Sequence, residues 1–365
     1  MSLFGLGLLS GLDVQPAYGD FTFGTPVNLR SVVPAIDPAH DNLVCLSYDG
    51  LEMYIDSDRA GGFGGADLWV LRRSSIGAEW GPAENLGPAV NTTVNEHEAS
   101  ISADGLTLYF NSFDTNRPGA QGQFDIYMAI RATRNDPWGQ PVNLGPKVNS
   151  ARYEGGPWIS PDGLELYFHS LGRPGGYGGD DFYVSRRPTT SDPWGDAVNL
   201  GPVVNSPSHD YGPRLSPDGL LLIFTDGFGL PQRPRGYGDT DLWMARRATV
   251  SSPWQVPVNL GPAINSPGGE GGAVISPDGS TLYFSFFDLD SGNFENRQAP
   301  IVPVVDFNAD GKVDLVDLLM LIENWGTNQT LCDIGPYAWG DGKVDIEDLK
   351  VFMAEWEKQN PPAQP

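Results

Sequence analysis

Cysteine is nearly absent from these 365 residues: only Cys45 and Cys332 occur, so spacing encodes no disulfide framework, and the count leaves the redox compartment open. Lysine is nearly missing from residues 1–305, which hold Lys147 alone beside 17 arginines. Over the whole chain 22 basic residues face 46 acidic ones, a formal net charge of −24. That shortage of cations excludes a nucleic-acid clamp, which must neutralise phosphates. Long apolar runs are missing too. The N-terminal run Leu3-Phe4-Gly5-Leu6-Gly7-Leu8-Leu9 falls well short of the ~20 residues of a membrane span. It reads either as the apolar part of a secretion signal within residues 1–17, without a preceding Lys or Arg, or as a packed segment. Phosphate-binding glycine loops, Ser-His-Asp signatures and Cys/His zinc spacing are also absent, and the corresponding chemistries find no support.

Glycine and proline are plentiful instead, 46 and 32, within a chain that is 40% hydrophobic and 11% aromatic; this is a turn-rich sequence with enough apolar mass for a core. One phrase recurs five times: Ser47-Tyr48-Asp49-Gly50, Ser102-Ala103-Asp104-Gly105, Ser160-Pro161-Asp162-Gly163, Ser216-Pro217-Asp218-Gly219 and Ser276-Pro277-Asp278-Gly279. Its aspartates stand 55, 58, 56 and 60 residues apart. Asp-Gly between apolar runs is hairpin chemistry, because glycine reaches the positive φ of a tight turn. Each phrase precedes a strand such as Leu166-Tyr167-Phe168, then Asp-x-aromatic, as in Asp181-Phe182-Tyr183, then a Trp ahead of Asn-Leu-Gly-Pro. About four short strands per ~57-residue unit is the pattern of a propeller blade. The fifth unit lacks its last strand before the tail, and Phe23-Gly24-Thr25-Pro26-Val27-Asn28-Leu29 matches Trp138-Gly139-Gln140-Pro141-Val142-Asn143-Leu144. The N-terminal segment is therefore expected to complete the fifth blade and close the ring, protecting open sheet edges.

These repeats resemble the PD40 family, the WD40-like repeats of TolB-type propellers, through Ser-Pro-Asp-Gly and its Leu-Tyr-Phe strand, and through Gly175 to Tyr183 and Pro-Val-Asn-Leu-Gly-Pro. The resemblance spans roughly residues 20–295 and implies an all-β, five-bladed propeller of four-stranded blades. Such propellers serve as scaffolds, binding modules and enzymes alike.

Six residues before each repeated Ser stands an acid: Asp41, Glu96, Glu154, Asp210 and Glu270. On inner strands these five would ring one mouth of the channel, where they could accept loop N–H groups, recruit a cation, or act as catalytic carboxylates. Departures from the repeat are His97, Glu98, Trp158, His209, Arg214 and Cys45 on inner strands, and His169 on a second strand. Asp41, His97, Trp158, His209 and Arg214 are candidate ligand residues for a sugar or sugar acid, with Trp stacking and Arg clamping a carboxylate. Catalytic candidates are Glu96, Glu98, Glu154, Asp210 and Glu270, from which the sequence selects no pair. The recurrent Arg72-Arg73, Arg186-Arg187 and Arg246-Arg247 read as structural ion-pair partners.

At Asp306 the pattern changes. Asp306, Asn308, Asp310, Asp314 and Asp317 fill positions 1, 3, 5, 9 and 12 of an EF-hand loop, with Gly311 at 6 and the Lys312 carbonyl at 7, which calls for Ca2+. A second copy follows with Asp341, Lys343, Asp345 and Asp348, but its positions 1 and 3 are Tyr337 and Trp339, so calcium there requires Asp333 or carbonyls as substitutes. Leu318, Ile322 and Trp325, like Leu349, Met353 and Trp356, give each following helix one apolar stripe, and the two stripes are expected to pack on each other. Asp at position 12 and one helix per loop resemble the type I dockerin family over residues 306–357. The resemblance implies a cohesin-like partner at loop positions 10 and 11, here Leu315-Val316 and Ile346-Glu347.

The resulting organisation is an N-terminal segment at 1–17, a propeller at 18–300, an all-α calcium-binding module at 301–358 and a tail at 359–365. The leading expectation is a secreted or cell-surface propeller that binds a carbohydrate or protein and is joined through its calcium module to a partner in polysaccharide processing. The alternatives are a glycoside hydrolase or lyase working at the propeller mouth, and a structural scaffold.

Overall fold

A computed structural model describes residues 21–37, 41–227, 233–287 and 294–359. The expected secretion signal and residues 360–365 of the expected tail lie outside these, whereas Gln359 ends a helix. The described residues form two compact units, 23–300 and 301–359 with residues 21–22.

In the larger unit each Ser-x-Asp-Gly phrase makes the same turn. The Ser Oγ donates to the Asp Oδ1 at 2.5–2.7 Å, and that Oδ1 accepts the N–H two residues on. The following glycines sit at φ of 68–74°, where a side chain would be strained. Each turn joins two antiparallel strands, and the third and fourth strands add in sequence order. Three four-stranded sheets result, together with a nine-stranded one in which two further groups meet through a single parallel bridge between Thr240 and Gly269. The group that starts with Gly269–Ile275 continues through Thr281–Phe287 and Phe294–Pro303. It ends on the N-terminal strand Val27–Asn28, with Val27 opposite Gln298 and Asn28 opposite Arg297.

The first strands of the five groups, Asp41–Leu46, Glu96–Ile101, Tyr153–Ile159, His209–Leu215 and Gly269–Ile275, each neighbour the next, and the last touches the first. Their alternate side chains, with aromatics of the second and third strands, bury a common core of Val44, Tyr54, Phe110, Tyr127, Tyr167, Phe182 and Phe224. The arginine pairs divide the work between ion pairing and stacking. Arg72 and Arg186 reach Glu52 and Glu165, while Arg73, Arg187 and Arg247 cover Trp80, Trp194 and Trp254 at 4.3–4.5 Å. Arg131, unpaired in sequence, stacks on Trp138 in the same way at 4.4 Å.

The smaller unit holds helix α1 (Leu315–Glu323) and helix α2 (Ile346–Gln359). Its core is Val313, Leu321, Cys332, Ile334, Val344 and Phe352 with Phe307. The helices therefore turn differently from the expected stripes. Leu321 and Phe352 are fully buried, while Ile322, Trp325 and Met353 stay exposed at 51%, 46% and 39%. Of the expected stripes Leu318, Leu349 and Trp356 do pack against this core, where Leu321 and Phe352, the i+3 partners of Leu318 and Leu349, take the place expected for Ile322 and Met353. Both cysteines are free and buried, and no helix among the described residues is long and apolar enough to cross a membrane.

Candidate functional site

The five repeated acids stand first or second in the inner strands, and all are buried. Each accepts the backbone N–H four residues before it: Asp41 from Asp37, Glu96 from Thr92, Glu154 from Ser150, Asp210 from Ser206 and Glu270 from Ser266, at 2.7–3.1 Å. Four also hold an arginine from the segment after the second strand: Asp41–Arg59, Glu96–Arg117, Glu154–Arg173 and Asp210–Arg233. The signal for these partners was an Arg followed two residues later by Gly, at Arg59, Arg117 and Arg173, with Arg233-Pro234-Arg235-Gly236 one residue longer. Among the described residues Glu270 bonds no arginine; burial pushes its carboxyl up to about 7, against the Ser266 hydroxyl at 2.5 Å. Glu96, Glu154, Asp210 and Glu270 thus hold loops in place, with their lone pairs occupied. Asp41 does the same, so this ring offers a ligand little.

A different set of groups gathers two residues further along these strands. Inner strands two to five carry a bulge whose second residue after the acid sits at φ of 52–59°: Gly156, Gly212 and Gly272 in three, Glu98 in the fourth. A non-glycine there costs about 1–3 kcal/mol of backbone strain. From this backbone the Glu98 carboxylate reaches the next inner strand, where its Oε2 accepts the Gly156 N–H at 2.7 Å. Asp56, on the second strand of the first group, accepts the Glu98 N–H at 3.3 Å and faces His97 Nδ1 at 3.4 Å. Asp180 meets His209 Nδ1 at 2.8 Å. Burial lowers the His97 imidazole's affinity for protons, but Asp56 and the nearby Glu98 more than offset it, and its pKa ends above the ordinary value. His169 lies against Tyr153 and Tyr211, with ring centroids at 5.4 and 5.6 Å, and His209 stacks on Tyr211. Phe113 and Phe124 extend this aromatic row to His97. Burial, then Asp180 and Glu98, raise the pKa values of the Tyr153 and Tyr211 hydroxyls.

His97, Glu98, His169 and His209 are thus brought together. Trp158 and Arg214 lie deeper, with the guanidinium 5.0 Å from the indole. Asp56, Asp180, Tyr153 and Tyr211 escaped the sequence reading. Their positions hold no single consensus residue: the second-strand position of Asp56 is Asn111, His169, Thr225 and Ser285 elsewhere.

The sequence matches no protein-family model and no curated protein. Among solved structures it resembles an endo-arabinase from Bacteroides thetaiotaomicron, at 14% identity and TM-score 0.50 over 78% of this chain and 98% of that one. An α-L-arabinofuranosidase from Lactobacillus brevis aligns at 13% identity and TM-score 0.48 over 75% and 94%. TolB from Acinetobacter baumannii aligns at 16% and 0.41 over 72%, this chain spanning 55% of its length. The larger unit is a β-propeller, and the strained Glu98 lies on one of its inner strands.

In the smaller unit the two loops repeat one hydrogen-bond scheme. Asp306 accepts the N–H groups of Asp310 and Gly311, and Asp333 accepts those of Asp341 and Gly342. Asp317 accepts from Phe307, Asn308 and Asp314; Asp348 accepts from Ile334, Gly335 and Asp345. Asp333 therefore takes position 1 of the second loop, which is four residues longer between its first two acids. Tyr337 and Trp339 are not at ligand positions: Trp339 is buried, stacked on Tyr337 at 4.9 Å. The donors Asp306, Asn308, Asp310, Asp314 and Asp317, with the Lys312 carbonyl, are all oxygens, as are Asp333, Asp341, Asp345 and Asp348 with the Lys343 carbonyl. That chemistry suits a hard cation. As placed, the carboxylates turn onto loop N–H groups, and among the described residues no three His, Cys, Asp or Glu side chains converge on a metal position.

Proposed function

We propose that the larger unit is a five-bladed propeller whose mouth takes a carbohydrate and hydrolyses it, with Glu98 as one of the two carboxyl groups such a reaction needs and Asp56 or Asp180 as the other. One observation carries this reading. Glu98, Asp56 and Asp180 lie together outside the ring of repeated acids and hold no arginine among the described residues, and Glu98 stands on backbone that three of its counterparts give to glycine. The row from Phe113 to His209 offers ring faces for a sugar. Taken alone, that row favours the second reading, a propeller that binds glycans without cleaving them.

Incubation with a panel of soluble polysaccharides, followed by analysis of released sugars, separates the two. Release that falls at least ~100-fold in Glu98→Gln while retention on the polymer persists supports hydrolysis. Retention without release in the unaltered protein gives the binding reading instead. Absence of both would remove carbohydrate from the proposal.

The smaller unit is proposed to hold Ca2+ through the two oxygen sets, and to carry a cohesin-like partner on Leu315, Val316 and Ile346, which are 65%, 48% and 50% exposed. Bound calcium would neutralise the loop acids and order the loops. Calcium titration by calorimetry should show binding that Asp310→Ala with Asp341→Ala abolishes; unchanged binding in that variant would refute these sites. A secreted or cell-surface location fits the proposal, since polysaccharides and calcium are met there.

A further inference from the structure

Below the mouth, the inner strands contribute one residue each to a single layer: Cys45, Ser100, Trp158, Arg214 and Val274. Four of them stand opposite a tyrosine of the neighbouring strand, Tyr54, Tyr109, Tyr167 and Tyr283, and Arg214 stands opposite Ile223. Arg214 is therefore the one charged residue in an otherwise uncharged layer, and it is 4% exposed.

The other fully buried arginines each have a carboxylate. Arg117 holds Glu96 at 3.1 Å, Arg131 holds Glu52 at 2.6 Å and Arg247 holds Glu165 at 3.2 Å. Arg214 forms no ion pair among the described residues. Its Nη1 reaches only two carbonyl oxygens, of Gly156 and Pro213, both at 3.3 Å. Its Nε and the Nε1 of Trp158 beside it are buried donors without an acceptor. Burial weakens the guanidinium's hold on its proton, against the pull of Glu98, Cys45 and Asp56, none of which bonds it among the described residues, and burial raises the Cys45 thiol's own pKa so far that it stays neutral. A buried cation with unsatisfied donors is costly unless an acceptor-only, negatively charged group joins it.

We propose that Arg214 and Trp158 form an anion site in the floor of the propeller channel. Two sources share the required chemistry: a small inorganic anion taken up from solution, or the carboxylate of an acidic sugar. Gly156 connects the floor to the mouth, since Arg214 holds its carbonyl while Glu98 holds its N–H. The acidic-sugar source alone rests on the carbohydrate reading above.

The full chain would be melted in sodium bromide and sodium chloride against sodium methanesulfonate at equal ionic strength, and separately with galacturonate against galactose. A small-anion site raises Tm by about 3 °C at tenfold excess over its dissociation constant in halide only. It also places a bromide anomalous peak within hydrogen-bond reach of Arg214 Nε in a crystal. A sugar-acid site gives the shift with galacturonate but not with galactose or halide. Either shift should vanish in Arg214→Met. Should that variant fail to fold, Arg214→Lys, which keeps the charge and loses the Nε donor, should weaken the response at least several-fold. No response to halide or galacturonate, or a response unchanged in the Lys variant, overturns the site. Hydrolysis of neutral polysaccharide with loss in Glu98→Gln would leave the carbohydrate reading intact in that case.

Discussion

Glu96 and Glu98 share one strand, two residues apart, yet their surroundings are opposites. Glu96 is fully buried, with Thr92, Ser112 and Arg117 donating to it, and it sits where all five repeats have an acid. Glu98 is half-buried, holds one backbone N–H, and sits where three repeats have glycine. Repetition marks what every blade needs in order to stand; departure from it marks what a single blade adds. Catalysis requires its acid and base to differ, so a uniform ring is poorly suited to it and an irregular mouth is well suited.

The same substitution at both positions should break the comparison open. Glu96→Gln leaves Arg117 buried without its counter-charge and should cost about 3–5 kcal/mol in denaturant unfolding. Glu98→Gln should change stability by less than about 1 kcal/mol while removing activity. Equal stability losses would mean that Glu98 is as structural as Glu96.

A smaller effect is expected at Glu270, the ring acid without an arginine. Its carboxyl is raised to about 7 by burial, so between the ordinary carboxylate range and pH 7 the folded state binds more protons than the unfolded one. The stability this group contributes is therefore present at low pH and lost as pH rises through 7. Glu270→Gln removes that loss: its Tm should exceed that of the unaltered protein at pH 8, with the gap closing by pH 5. A gap independent of pH would assign the change to packing.

Much of the scaffold was legible because turn chemistry repeats it. Asp49, Asp104, Asp162, Asp218 and Asp278 mark hairpins in sequence and make them in three dimensions, and Val27-Asn28 found its place by matching Val142-Asn143. The mouth was legible only in part. Glu98 stood out against glycine on its own strand, and His97 and His209 stood out by residue type alone. Asp56 and Asp180 lie on second and third strands, in columns with no consensus to depart from, and only the ring of inner strands brings them near Glu98. In the smaller unit, Asp333 was hidden by a loop lengthening that shifts it out of register with Asp306. The direction of the helix stripes was hidden as well, because Leu321 and Ile322 are equally apolar and the sequence does not distinguish which of them joins Val313 and Val344 in the core.

The smallest effect is the most specific to the backbone. At φ of 52°, Glu98 occupies a conformation that glycine reaches freely and a Cβ disfavours. Glu98→Ala removes the carboxylate and keeps the strain, whereas Glu98→Gly removes both, so neither should be active. The glycine variant should nonetheless be the more stable of the two by about 1 kcal/mol, the relief of strain being reduced by glycine's greater freedom in the unfolded chain. The difference between the variants isolates the backbone, because the lost hydrogen bond to Gly156 is common to both. Equal stabilities would mean that the bulge tolerates a side chain at no cost, and that the placing of Glu98 carries no stored strain for its function to require.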